Sequence, residues 1–319
     1  MNLRIATRKS SLALWQARYL QSQLQALGHA SELVLIESQG DREQQAFKQM
    51  QGQGFFTKAV QDALLSQQAD IAVHSYKDLP SLPLRELEVA AVSPRADPRD
   101  LLLIRPEAYD PQAVPLPLKT GVRVGTSAVR RQAQLQALRP DLQLQELRGN
   151  VPTRLGKLQR GDCEAIVIAA AGLARLQERA DDDLRSDLSQ LNEATTATPL
   201  AVLLAGLQHV LLEPQLFVPA PAQGVLAFEC HRDAYEVASL LSDVHDIRSH
   251  KCVAAERGLM AMLQGGCQLA LAAYATWHEG NIQLTAWYEG QQVSVQHSSS
   301  EGAAYLAFEA LGRPAPARL

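Results

Sequence analysis

The sequence predicts an α/β protein with two α/β domains and a small α+β domain after them, on three observations. Short apolar runs alternate with amphipathic stretches over roughly the first ninety residues, the alternation restarts after Pro98, and past Asp246 it gives way to one helix, a few strands and a closing helix. A chain of 319 residues exceeds one ordinary domain, and 46% hydrophobic with 20% charged residues is enough to fill several cores.

Leu3–Thr7 reads as a strand, followed by a turn at Arg8–Ser11 with a serine available to cap a helix. Ala13, Ala17, Leu20, Leu24 and Leu27 then recur at helical spacing. Leu33–Ile36 is a second strand, and the polar, Gln-rich stretch from Gln39 to Gln53 predicts a mobile loop. A helix over about Thr57–Ser66 leads into a buried-type strand at Asp70–Ser75, which ends in Tyr76-Lys77-Asp78-Leu79-Pro80. Strands alternating with helices imply parallel sheets.

In the second round, Leu101–Ile104, Val122–Gly125, Leu142–Leu147 and Ala165–Ala170 read as strands, with helices at Ala128–Leu138 and Arg154–Gln159. Residues 178–216 form an elaboration that opens on an acidic run and ends in the apolar stretch Pro199–Leu212. That stretch is about 14 residues, short of the roughly 20 that span a bilayer, and it predicts a buried helix. Val225–Glu229 is a strand returning to the first domain. A helix at Ile247–Leu263, two or three strands and a helix at Ala303–Leu311 make the third domain. The expected boundaries are 1–96 with 222–243, then 97–221, then 244–319.

A net charge of −4 leaves no basic excess for a nucleic-acid surface. The N-terminus lacks an apolar core of signal-peptide length, so a cytoplasmic protein without membrane association is expected. Cys163, Cys230, Cys252 and Cys267 are too few and too widely spaced for a disulfide framework or a zinc site. The eight histidines show no ligand spacing, and no metal is expected; His74 reads as structural.

The 30 Lys and Arg are unevenly placed. Arg8, Arg130, Arg131, Arg148 and Arg154 all fall at junctions between strand ends and helix starts, where parallel α/β proteins bind ligands. Arginine pairs bidentately with carboxylates, so the set suits a polyanion, and Gly125 and Gly149 would let backbone N–H groups approach it. The same spacing also suits helix-flanking surface charges. Asp78 follows a buried strand, as either a functional carboxylate or a turn former. Cys267, behind Gly265-Gly266, is either a reactive thiol in a tight loop or a small buried hydrophobe.

Taken together, several segments resemble the porphobilinogen deaminase (hydroxymethylbilane synthase) family. They are Ile5-Ala6-Thr7-Arg8-Lys9-Ser10 with Leu12-Ala13-Leu14-Trp15-Gln16, the run Asp70 to Pro80, Arg95-Ala96-Asp97-Pro98-Arg99-Asp100, and Gly125 to Gln132. Leu147 to Leu155, Ala169-Ala170-Ala171-Gly172-Leu173, Pro221-Ala222-Gln223-Gly224 and Gly265-Gly266-Cys267-Gln268 follow in the family's order. The resemblance implies two domains arranged like periplasmic binding proteins around a cleft, and a third carrying a dipyrromethane cofactor through a thioether to Cys267. It implies a monomer acting on porphobilinogen: four units are condensed head to tail with loss of ammonia, and hydrolysis releases hydroxymethylbilane.

By the same resemblance Asp78 is the catalytic carboxylate. Arg8, Ser10, Gln16, Ser75 and Lys77 bind cofactor or substrate from the first domain. Thr126, Ser127, Arg130, Arg131, Arg148, Gly149, Arg154 and Ala170 do so from the second, and Gln223 from the return crossover. Gln53 and Phe56 belong to a lid loop. The chain departs from the family pattern at Gln53, where lysine is usual, and at Ala128, where a second serine is usual. Residues 178–216 are also longer than usual, and the tail past Ala275 is shorter.

Overall fold

The structure, a computed structural model, describes residues 2–36, 55–178, 198–263 and 269–312, leaving out the side chains of 55 and 56. In chain order its first elements are β1 (Asn2–Arg8), α1 (Ser11–Ala26), β2 (Ala30–Ile36), α2 (Phe55–Leu65), β3 (Ile71–Ser75), a 3-10 turn at Tyr76–Asp78, and β4 (Leu87–Val92). Then come β5 (Asp100–Ile104), β6 (Arg123–Gly125), α3 (Val129–Leu138), β7 (Gln143–Gln145), α4 (Val151–Gln159), β8 (Ala165–Ala169), α5 (Ala170–Glu178), α6 (Leu200–Leu204) and β9 (Gln208–Leu212). The last are β10 (Leu226–His231), α7 (Tyr235–Leu241), α8 (Ile247–Met262), β11 (Ala272–His278), β12 (Asn281–Tyr288), β13 (Gln291–His297) and α9 (Ser300–Ala310).

Among the described residues these strands form three sheets, ordered β2-β1-β3-β10-β4, β7-β6-β8-β5-β9 and β11-β12-β13. In the first, α1 and α7 pack one face through Leu3, Ile5, Leu20, Leu24, Phe228 and Leu241, while α2 covers the other through Val60, Ala63 and Leu64. Each such fully buried Leu or Ile contributes about 1.5–3 kcal/mol of transfer free energy. Both faces of β5 are buried, which is why its five residues read as a continuous apolar run. The third sheet is an antiparallel meander under α8 and α9, with Leu259, Ile282, Leu284 and Phe308 at its centre.

The chain passes between the first two sheets twice, and the two passages are tied together. Ser93 N–H donates to the Leu226 carbonyl (3.1 Å), Ala96 N–H to the Gly224 carbonyl (3.1 Å), and Arg95 Nε to the Gln223 carbonyl (2.9 Å). Gly224 sits at φ +92°, and a Cβ there would lie 2.5 Å from the Ala96 carbonyl oxygen. Glu256 of α8, fully buried, accepts from Arg95 (2.5 and 3.1 Å) and from the backbone N–H groups of Ala222 and Ala275 (2.7 Å each). One carboxylate thereby fastens both passages to the third sheet.

Two expectations are overturned. The sheets are mixed rather than parallel: β10 runs antiparallel between β3 and β4, and β5 runs antiparallel between β8 and β9. Direct passages between sheets feed these strands, so the helical crossover that enforces a parallel neighbour is absent there. Pro199–Leu212 is not one buried helix but the five-residue α6 followed by β9. Gly206 (φ +73°) breaks the run; Val202 of α6 is 56% exposed, and Leu211 stands 41% exposed on an edge of the sheet. β4 and α7 were not anticipated, and the helix expected from Arg154 starts at Val151, capped by the Asn150 side chain. The loop expected at Gln39–Gln53 lies outside the described residues, as do residues 179–197 of the elaboration.

Candidate functional site

A cleft of about 310 Å³ is lined from both the first and the second sheet. On the first side β1 ends in Arg8, and Ser10 caps α1, its Oγ accepting from Ala13 N–H at 3.4 Å. Gln16, buried further along α1, donates through Nε2 to Ser75 Oγ (2.8 Å) and joins α1 to the end of β3. The 3-10 turn that follows puts half-buried Lys77 and exposed Asp78 on the cleft wall. A side pocket of about 120 Å³ shares Arg8, Gln16 and Asp78 with the cleft and reaches back to Thr57 and His74. Behind it the buried Glu229 carboxylate meets His74 Nε2 (3.1 Å) and accepts from Gln61 Nε2 (3.0 and 3.1 Å).

On the second side the cleft is lined by Arg131 of α3, the Gly149-Asn150 turn, Arg154 of α4 and Arg175 of α5. Gly149 takes φ +115°, and a Cβ there would lie 2.7 Å from a Thr153 methyl, so only glycine makes this turn without strain. Arg154 Nε donates to the Gly149 carbonyl (2.8 Å). Burial lowers the Arg154 pKa, Arg131 lowers it further, and Asp78 opposes both.

Beneath the cleft lies Asp100, fully buried at the start of β5. Arg130 Nη1 (2.8 Å), Arg131 Nη2 (2.7 Å) and Gln223 Nε2 (2.9 Å) converge on it. Burial pushes the Asp100 carboxyl up, but the two guanidiniums outweigh that and hold it well below the usual carboxylate range. Gln223 also donates to the Pro98 carbonyl (2.8 Å), and its Oε1 accepts from Lys77 Nζ (3.3 Å). Loss of hydration brings Lys77 down to about 8, with Asp78 pulling the other way.

The cleft wall thus brings together Arg8, Ser10, Gln16, Ser75, Lys77, Asp78, Arg131, Gly149 and Arg154 of the residues expected from the sequence. The others stand elsewhere. Arg130 turns inward to Asp100 and the Val218 carbonyl (2.8 Å). Arg148 is exposed and paired with Glu146 (2.5 Å). Thr126 is buried, and Ser127 exchanges hydrogen bonds with the backbone of Leu147 (2.7 and 3.0 Å). Ala170 belongs to a core cluster, and Gln223 lies under the cleft floor. Cys267 and Gln53 are outside the described residues; Phe56 is in α2, and its side chain is outside them.

Sequence reasoning missed Arg175 and Asp100. Arg175 is 7% exposed, stacks 5.4 Å from the Trp15 ring and donates to the Gly224 carbonyl (2.8 Å). Burial lowers it to about 10, and its Nε has no partner among the described residues. The signal was available: Arg175 is on the helix after β8, the same kind of junction as the other arginines. Among the described residues, five cations and one carboxylate, Asp78, therefore line the cleft. That donor set, with an unsatisfied buried guanidinium N–H, fits a small molecule carrying several carboxylates. Among the described residues no group of three metal-ligating side chains gathers, and no helix is long and apolar enough to cross a membrane.

Compared with known proteins, residues 3–239 match the family "Porphobilinogen deaminase, dipyromethane cofactor binding domain", and residues 250–295 match "Porphobilinogen deaminase, C-terminal domain". A porphobilinogen deaminase of Xanthomonas euvesicatoria pv. vesicatoria is 38% identical over 98% of this chain and 93% of its own length. Another from Mycobacterium marinum is 41% identical over 86% of this chain and 77% of its own. Among solved structures, the Bordetella pertussis BvgS periplasmic VFT2 domain aligns with a TM-score of 0.42 at 14% identity, over 80% of this chain and 92% of that one.

Proposed function

The chain belongs to the porphobilinogen deaminase family, and we propose that the cleft carries out that reaction with Asp78 as its catalytic carboxylate and Cys267 as the attachment point of the cofactor. The activity is that of a hydroxymethylbilane synthase, a transferase, and the larger matching region is a dipyrromethane cofactor-binding domain. The observation that carries the site assignment is that the described residues bring one carboxylate and five cations together across the cleft.

Each pyrrole of substrate and cofactor bears an acetate and a propionate. Arg8, Arg131, Arg154, Arg175 and Lys77 would hold these carboxylates by charge-assisted hydrogen bonds. When bound, the dipyrromethane supplies the pyrrole α-carbon that accepts the first substrate unit. Loss of ammonia from porphobilinogen leaves a cation, and Asp78 is the fixed anion placed to stabilise the charge as it develops. Gln16 and Ser75 orient one carboxylate or pyrrole edge beside it. Arg130 acts from below, holding Asp100 so that Arg131 and Lys77 keep their places. The reading extends to Arg148, Thr126, Ser127 and Ala170 as outer contacts of a longer chain, to Gln53 and Phe56 as parts of a lid, and to a cytoplasmic monomer with domains 1–96 plus 222–243, 97–221 and 244–319.

Mass spectrometry tests the attachment. Protein from a host that makes porphobilinogen should exceed its sequence mass by two linked pyrrole units, located on the peptide containing Cys267. After denaturation only Cys163, Cys230 and Cys252, all buried in the fold, should react with a thiol reagent. Cys267→Ala should show sequence mass and no turnover. Sequence mass with four reactive thiols would overturn the assignment.

A further inference from the structure

We infer that Arg257 is a positioning residue for the reaction: from behind the cleft it clamps the short turn that presents Asp78, so the third sheet's long helix sets where the catalytic carboxylate stands. The inference rests on the reading of Asp78 given above.

Arg257 projects from α8 onto the segment Tyr76–Pro80. Its Nη2 donates to the Pro80 carbonyl (2.5 Å), and its Nη1 to the carbonyls of Leu79 (3.2 Å) and Tyr76 (3.4 Å). The guanidinium carbon also lies 4.5 Å from the centre of the Tyr76 ring. A planar group with five donors can serve three carbonyls and a ring face together, which an ammonium on a flexible stem cannot. Arg257 lines neither the cleft nor the side pocket. Its hydrogen bonds to Tyr76, Leu79 and Pro80 connect it to the cleft through the turn.

That turn depends on outside support. Tyr76–Asp78 is a single 3-10 turn, with Leu79 N–H donating to the Tyr76 carbonyl at 3.2 Å. It is tied to β10's entry by Tyr76 N–H donating to the Val225 carbonyl (3.0 Å), and to the cleft floor through Lys77 and Gln223. Asp78 itself is exposed on the cleft side. A single turn of backbone carrying an exposed carboxylate would wander by more than the half ångström that a preorganised site tolerates. Arg257 removes that freedom by gathering the carbonyls on the far side. Ten residues further along the sequence stands Cys267, so a single stretch of chain carries both the clamp and the proposed cofactor anchor.

A double-mutant cycle between Arg257→Met and Asp78→Asn tests the coupling, with kcat and KM measured on protein whose cofactor load has been equalised by intact mass. Arg257→Met should lower kcat about tenfold or more while KM moves little, as expected for a misplaced catalytic group. In the Asp78→Asn background the same change should cost nothing further. Arg257→Lys, which keeps the charge but serves fewer carbonyls, should lie between, and it replaces Met in the cycle if the Met variant does not fold. Equal fold losses in both backgrounds, or a lowered melting temperature with unchanged kcat, would overturn the clamp and leave Arg257 as a packing residue. Near-normal turnover of Asp78→Asn alone would instead overturn the reading of Asp78, and the clamp with it.

Discussion

Asp100 shows how a residue outside the cleft sets the charges inside it. Its folded carboxyl titrates below the unfolded value of about 3.9, because Arg130 and Arg131 prefer it ionised. A group with a depressed folded pKa contributes stability that is fully present above its unfolded pKa and is lost as pH falls towards its folded one. Asp100→Asn should therefore destabilise by about 3–5 kcal/mol, since it strands two buried guanidiniums. The gap from the unchanged protein in pH-dependent melting should be constant from pH 8 to 5 and narrow below about 4; a gap that persists undiminished to pH 2 would contradict the linkage. Lys77 makes the opposite test at the alkaline side. With its ammonium pKa brought down to about 8, it loses charge there while the arginines keep theirs. KM for porphobilinogen should rise as pH climbs through 8, and Lys77→Arg should flatten that rise; parallel profiles would remove Lys77 from carboxylate binding. Lys77 and Asp78 were legible because a buried strand ending in Lys-Asp-Leu-Pro marks a strand-end turn. Asp100 was not, because an acid opening an apolar strand means nothing until Arg130 and Arg131, thirty positions on, fold against it.

Among elements, the helices were the most legible, because a core face at 3.6-residue spacing and a capping serine or asparagine are local signals. α1 starts at its Ser10 cap and buries Ala17, Leu20 and Leu24 as the spacing requires; Leu27, just past its end, is 44% exposed. Strand direction was not legible. The apolar runs of β5 and β10 report burial on both faces and say nothing of polarity, which depends on where the chain arrives from. The connecting segments matter as much as the strands they feed. Gly224 is the tightest point of the paired passages, so Gly224→Ala must adopt an unfavourable left-handed backbone while its methyl meets the Ala96 carbonyl. A loss of about 2–4 kcal/mol follows from the strain and the clash together. Denaturant unfolding checks it, and a loss under about 1 kcal/mol would mean that the passages yield easily. The apolar run ending at Leu212 misled for a related reason: hydrophobicity without a clear period serves a helix and an edge strand equally, and a single glycine decided the division.

At the scale of the whole molecule, the general plan followed from the order of motifs and the restart of the pattern after Pro98, while the mixed sheets and the Glu256 fastening emerged only from long-range pairing. β10 is an interior strand, lying between β3 and β4, although more than 130 residues separate it from β4 in the sequence. Until residue 231 has been translated and released from the exit tunnel, β3 and β4 have no strand between them. The second sheet, whose strands all fall between Asp100 and Leu212, meets no such delay. The usual vectorial order of assembly, N-terminal part first, should therefore be inverted, the middle of the polypeptide becoming protease-resistant while its beginning is still open. Stalled nascent chains ending near residue 221, once clear of the tunnel, should yield a resistant fragment spanning roughly 97–221 and rapid cleavage before residue 93. Early protection of the N-terminal segment would show that β1, β2 and β3 hold together without the strand that completes them.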